Sequence, residues 1–431
     1  MKKREFLFMG GALPLMLAGC GGSGTGSVSV RLVNASVGYP TGLGFMDNSV
    51  QAVTGVDYGA SSAFVDVQAG TEPIALTVVS GGSTTSVFSS TRTLDKDARY
   101  SLVAYGFADE LRAVPLIENT SAPDSGYAKV NVFNTSVDIG AVDVYISPGT
   151  DLALGTVIAS SVSGLNQSAF SSTAAGSYYV TVVGANSVAK GISDVRFQSA
   201  APITVVDQQI LTILLTPGAS GVLANAIFLT QGTGTSSGAV SEQNTSYRLR
   251  AFANTGPGST ITVSGVLAGE GSPAKSEYTV LQAGTTPSVT VTGVANAGTV
   301  ALTGATIAPG GDYTLLVYID GNGNAVADLL LDDNTAPVSP TGVKFRLVNL
   351  DASASTLSMT INGSSAGTNV GYGAASAYTE VVVPQSTDSA VVVSAEAAAL
   401  VTHELVLVAG NIFTEVVIGS GIDFFVASTV S

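Results

Sequence analysis

The sequence predicts an all-β protein made of tandem β-sandwich (immunoglobulin-like) domains, and three observations predict it. β-Branched residues alternate with small or polar ones over short runs, as in Ala75–Val79, Ala141–Ile146 and Ser288–Thr292. That period of two gives a strand one buried and one wet face. Gly, Asn, Asp and Pro break the runs about every eight to twelve residues, without the spacing that βαβ units need. The whole pattern then recurs at about 100 residues, too long for a solenoid repeat and the size of a domain with its own core.

The repeats can be followed element by element. Each opens on a similar strand: Val30–Ser36, Val130–Ser136, Arg250–Thr255 and Phe345–Leu350. A middle segment, Val56–Val67, returns as Val370–Val381 with seven of twelve positions identical. Phe64–Gly70 also matches Tyr278–Gly284, and Ser168–Gly176 is the weakest copy. Each repeat ends near an apolar strand: Tyr100–Tyr105, Ile210–Leu215, Tyr313–Ile319 or Phe413–Ile418. Polar breaks at 118–123 and 333–337 separate copies, giving domains at 28–120, 127–231, 246–335 and 342–431. Thr230–Asn244, rich in Gly and Ser, reads as a flexible linker and a hinge between two domain pairs. The Ala-rich stretch Ser394–Val401 is short and uncapped between Val-rich strands, so it reads as strand and turn rather than helix.

Composition narrows the function. Of 431 residues, 45% are hydrophobic and only 11% charged, enough apolar material for packed cores. Lys plus Arg is 16 against 31 for Asp plus Glu, a net charge of −15, and no basic stretch follows the first four residues. Nucleic-acid binding is therefore not expected, because phosphate backbones need clustered cations. One Cys forbids an internal disulfide and one His forbids a two-His metal site.

The amino terminus carries an address. Lys2-Lys3-Arg4 precedes an apolar run from Phe6 to Leu17, which has the layout of an export signal and is too short to span a bilayer. Leu17-Ala18-Gly19-Cys20 resembles the lipobox of bacterial lipoproteins. The resemblance implies removal of residues 1–19 and lipidation of Cys20, with two or more acyl chains giving stable membrane anchoring. Gly21 after the Cys resembles the outer-membrane sorting pattern, and Lys3-Arg4-Glu5-Phe6-Leu7 only faintly resembles a twin-arginine signal. Processing leaves a net charge of −17, which keeps a sparsely charged surface soluble. Gly21–Ser27 is then a flexible tether spanning roughly 15 Å.

The Arg-Leu-Val-Asn-Ala-Ser opening at 31–36, the Tyr-Gly-Ala-x-Ser-Ala-Phe/Tyr middle at 58–64 and 372–378, and the Ala-Gly turn together resemble a family. It is the domain of unknown function (DUF) 4397 family of bacteria. The resemblance implies exported β-sandwich modules, often in tandem on lipoproteins, and brings no activity with it. The first and last copies match best. Gly59 and Gly373 suit a backbone bend and Tyr58 and Tyr372 a ring at a sheet rim.

Catalytic and metal-binding patterns are sparse. His403 lacks a counterpart in the other copies and reads as a strand-surface residue. No Gly-x-Ser-x-Gly elbow precedes a plausible helix, and no phosphate loop or dinucleotide fingerprint occurs. Asp320-Gly321-Asn322-Gly323-Asn324 with Asp328 places oxygens at spacings that suit Ca²⁺. Ala325 and Leu331 stand where an EF-hand loop has its Gly and bidentate acid, so a hairpin loop is the plainer reading. No cofactor, metal or catalytic residue is expected, and Cys20 is the one assigned site.

The expectation is thus a non-enzymatic lipoprotein anchored in the outer membrane, periplasm-facing or surface-exposed. Its role would be structural, adhesive or binding, toward an envelope or extracellular protein or a glycan. The alternative is an exported hydrolase with an acidic site between domains.

Overall fold

The computed structural model describes residues 26–108, 110–118, 121–185, 195–232, 238–339, 341–382, 388–395, 398–418 and 421–428, the last segment as backbone only. Cys20, the expected signal segment 1–19 and the tether up to residue 25 lie outside the described residues. Among the described residues the regular structure is strand, apart from one short 3₁₀ turn at Leu152–Leu154, and no described helix is long and apolar enough to cross a membrane. Within Ser394–Val401 the described residues 394–395 and 398–401 are strand, in the antiparallel pair Asp388–Ala395 and Ala398–Val406, and residues 396–397 lie outside the described ones.

The first sandwich sets the plan. Its strands are β1 (Ser27–Ala35), β2 (Leu43–Asp47), β3 (Val50–Val56), β4 (Val65–Gln68), β5 (Gly70–Ser80), β6 (Ser83–Leu94), β7 (Arg99–Tyr105) and β8 (Arg112–Ile117). One sheet runs β4-β1-β7-β8 and the other β3-β2-β5-β6. β1 lies parallel to β7, from Ser29 opposite Arg99 to Ala35 opposite Tyr105. The same parallel pair recurs three times, joining Tyr127–Asn134 to Ile210–Pro217, Ser246–Asn254 to Asp312–Ile319, and Gly342–Asn349 to Asn411–Ile418. In the second and third sandwiches the strand equivalent to β4 is broken in two, at Asn166–Gln167 with Ser171–Ala174 and at Ala274–Lys275 with Thr279–Gln282.

Each pair of sheets closes on its own apolar core. Leu32, Phe45, Leu76 and Leu102 meet in the first sandwich, and Phe345, Leu347, Met359 and Val393 in the fourth. Burying one such side chain fully contributes about 1.5–3 kcal/mol. The opening strands depart from simple alternation. Leu32 faces its own core while Val33 points the other way, yet both are fully buried. The face expected to be wet is covered by a neighbouring sandwich.

Two recurring side chains explain the motif positions. Ser62, Ser168, Ser276 and Ser376 each accept the amide of an opening-strand residue on Oγ and return their own amide to that residue's carbonyl. Asn34, Asn134 and Asn349 are buried at the strand's end, where each Nδ2 donates to two carbonyls and each Oδ1 accepts the amide two residues on. Asn254 departs from this, accepting only from Ser272 among the described contacts. Gly59 and Gly373 adopt φ of 76° and 75°, the bend expected of them, and donate to Asn34 and Asn349.

The segment Thr230–Asn244 corrects the expectation of a free hinge. Ala239–Glu242 forms a strand on the edge of the second sandwich, paired with Ala224–Thr230. The second sandwich therefore takes in residues beyond the expected end at 231. Asn244 is buried and donates to the carbonyls of Arg196 and Ala224, at 2.7 and 2.9 Å. Edge pairing supplies what composition hid: backbone hydrogen bonds do not require apolar side chains.

Asn349→Ala would leave the carbonyls of Ala354 and Val370 and the amide of Asp351 without their partner. The expected loss is about 2–3 kcal/mol in urea unfolding. A surface control such as Asn322→Ala should change stability by less than about 0.5 kcal/mol.

Candidate functional site: the seams between sandwiches

The outward face of each first sheet packs on its neighbour's. Val33, Val103 and Leu116 of the first sandwich meet Phe133, Leu214 and Ile227 of the second. Phe252 and Leu316 of the third meet Val348, Leu350 and Val416 of the fourth. Aromatic pairs close both seams edge to face, Tyr105 with Phe133 and Tyr318 with Tyr372, each at 5.5 Å.

The centre of each apolar seam holds a buried ionic cluster. The residue before the serine-clamped, inward-facing residue of the opening strand is Arg31, Asn131, Arg250 or Arg346, and its parallel-strand partner is Ser101, Thr212, Thr314 or Thr414. Arg31 is wholly buried and donates to Glu118 through Nε at 2.9 Å and Nη2 at 2.6 Å. It also reaches the carbonyl of Thr230 at 2.8 Å, and Glu118 accepts the amide of Gly232. The second sandwich offers a neutral version, Gln231 donating to Thr212 and Thr212 to Asn131.

The seam between the third and fourth sandwiches carries more charge. Asp332, 1% exposed, takes Arg346 from across the seam at 2.5 Å and Arg250 from its own side at 3.5 Å. Thr314 and Tyr278 also donate to it. Arg250 in turn reaches Thr414 of the fourth sandwich at 3.2 Å. Burial alone would raise the Asp332 carboxyl, but the guanidiniums of Arg346 and Arg250 hold it below the ordinary range. Tyr278 and Tyr378 lie under Arg250 and Arg346 at 4.6 Å, and burial pushes the Tyr378 phenol up to about 12. Beside them Arg248 forks onto Asp312, which also receives Asn334.

The recurring motif belongs to this seam. The serine clamp sets the residue two places on, Phe64, Tyr278 or Tyr378, beneath the arginine. Where Asn131 replaces the arginine, Phe170 is exposed. Tyr58 binds Thr216 of the second sandwich at 2.6 Å, and Tyr372 binds the Ile319 carbonyl of the third. A side chain at Gly59 would strike Ser241, and one at Gly373 the ring of Tyr318. The first and last copies resemble each other most because both present this Tyr-Gly pair to a neighbour.

The two sandwich pairs also touch. Ser220 bridges to the third sandwich through the Gly310 carbonyl and the Asp312 amide, and Asp138 accepts the Ala336 amide at 2.6 Å. A cleft of about 660 Å³ lies here, lined by residues including Tyr105, Phe107, Glu110, Asp138, Leu165 and Pro337. Burial raises the Asp138 carboxyl above its ordinary range.

His403 differs from its expected surface role. It sits on the inward side of Ala398–Val406, 2.8 Å from Glu415, with no hydrogen bond formed by either side chain. Glu415 is wholly buried at the position held by Leu102, Ile213 and Leu315 in the other copies. An acid within the apolar run Phe413–Ile418 was the signal that alternation alone passed over. Burial pushes Glu415 up to about 7 and His403 down.

The Asp320–Asp328 loop is a hairpin between Asp312–Ile319 and Ala325–Asp332. Asp320 accepts the amides of Asn322 and Asn324, which hold its carboxyl below the ordinary range, and Asp328 accepts from Thr303. Among the described residues no group of three acids, His or Cys is placed to hold a metal.

Against known proteins, the model of the family "Domain of unknown function (DUF4397)" matches residues 28–145, the first sandwich and the start of the second. No curated protein matches the chain. Among solved structures, the Bacillus anthracis TIE protein is similar over 91% of this chain and 68% of that one, at 12% identity and a TM-score of 0.16.

Asp332→Asn would leave Arg250 and Arg346 buried without their shared carboxylate, at an expected cost of about 3–5 kcal/mol in urea unfolding. The pH response follows from Glu415. A carboxyl raised from 4.5 to about 7 stabilises the fold fully below pH 4.5 and loses that contribution as pH rises through 7. The change is about 3 kcal/mol, opposed by the lowered His403, whose contribution is lost as pH falls. Thermal melts at pH 5 and pH 8 should show the transition that includes the fourth sandwich at a lower temperature at pH 8, and Glu415→Leu should raise it and remove most of the difference.

Proposed function

We propose that the protein is a non-enzymatic cell-envelope lipoprotein whose sandwiches are joined in pairs to form a spacer or binding module for an envelope or extracellular protein or a glycan. The observation that carries the reading is the use made of the recurring motif. The residues shared between copies clamp strands and lock sandwiches together, so their common task is architecture. The lipobox resemblance at Leu17–Cys20 supports an outer-membrane anchor through acylated Cys20, with the module in the periplasm or at the surface.

The hydrolase alternative draws on Glu110 and Asp138, two acids in the cleft between sandwiches. Against it, Asp138 already accepts the Ala336 amide and the Ser136 hydroxyl, which fits a joint better than a catalytic base.

Metabolic labelling with a fatty-acid analogue tests the anchor. Label is expected on the wild type and absent from Cys20→Ser; equal labelling of both would refute anchoring. Protease shaving of intact cells, read beside the labelling, assigns the surface or the periplasm.

A further inference from the structure

The four copies act as controls for one another, and a second acid breaks their pattern. On β2, Leu43 and Phe45 face the core of the first sandwich, and the next inward position is Asp47. The equivalent inward positions near the end of the same strand hold Ile146, Val263 and Ile361 at 6%, 1% and 0% exposure. Asp47 is 8% exposed, and its Oδ1 has no hydrogen-bond partner. Its Oδ2 meets only the Gln68 amide, at 3.5 Å. Burying a carboxylate without a counter-charge costs several kcal/mol.

A cleft of about 660 Å³ opens beside this carboxylate, at the mouth of the sandwich between β3 and β4. Val50, Ala52, Val65 and Val67 give it apolar walls, and a second acid, Asp66, stands on its rim and accepts from Ser29. Lys96 lies with its stem against Gly26 at one end, and among the described contacts it makes no ion pair with Asp47.

We propose that this cleft binds a primary ammonium carried on a short alkyl chain, with Asp47 as its counter-ion. Charge calls for a cation, and the dimensions say which kind. A Ca²⁺ ion takes six to eight oxygens, whereas two acids face this cleft, and its volume far exceeds one ion. An alkylammonium brings three donors, enough for the carboxylates of Asp47 and Asp66, and a methylene stem for the valines. Lysine side chains and ethanolamine head groups both offer that chemistry.

Saturation-transfer NMR on the full chain with n-butylammonium chloride tests the site, with n-butanol as the neutral control. Asp47→Ile restores the residue of the second and fourth copies and is expected to fold at least as stably. Transfer to butylammonium is expected for the wild type, with affinity weakened at least about tenfold in Asp47→Ile and no transfer to butanol. Lysine amide and phosphoethanolamine, run as competitors, separate the two sources; stronger displacement by either supports the site. Absence of transfer to butylammonium, equal transfer in Asp47→Ile, or displacement by equimolar calcium chloride would each overturn it.

Discussion

A guanidinium held between two β-sheets is the constraint around which the rest of the molecule is arranged. Arg31, Arg250 and Arg346 project from the centre of an opening strand onto the sheet's outward face, where a lone sandwich would meet water. Once covered, each needs an acid, a hydroxyl and an aromatic ring. The hydroxyl comes from the parallel strand and the ring from the clamped motif segment, while the acid is Glu118, directly after β8, for Arg31 and Asp332 of the third sandwich for both Arg250 and Arg346. The apolar contacts around the cluster provide the non-directional part of the association. The ions fix which residues meet, because a misaligned buried pair leaves an uncompensated charge.

This arrangement accounts for features that otherwise look unrelated. The serine clamp places the ring beneath the guanidinium. Tyr58 and Tyr372 cross to the neighbouring sandwich, and the glycine after each keeps space for it. The second sandwich meets Arg31 with Asn131, Thr212 and Gln231, so that seam places no second guanidinium opposite the first. The second sheets, which cover no partner sandwich in the described contacts, keep Ser and Thr on their outer faces, as in the Thr260–Thr292 pair.

Much of the fold was legible from the residues: strand periodicity, the four opening strands, and the motif that residues 28–145 share with a known domain family. The pairing was not. Alternation tells buried from wet faces only when a residue is apolar, and the seam's centre is arginine, aspartate and threonine, residues ordinarily read as solvent-facing. The strand at Ala239–Glu242 escaped notice because its ladder bonds come from the backbone. Glu415 and Asp47 could have been found by aligning the copies position by position, since each replaces an aliphatic residue present in the other three. His403 gains interest only through Glu415, a neighbour on a different strand and sheet.

The central claim is that the Asp332 cluster joins the third and fourth sandwiches into one folding unit. Scanning calorimetry of residues 246–431 measures this through the ratio of calorimetric to van't Hoff enthalpy. A joined pair predicts one transition with a ratio of about one. Two resolved transitions, or a ratio of about two, would mean that the sandwiches melt separately and that the seam does not bind them.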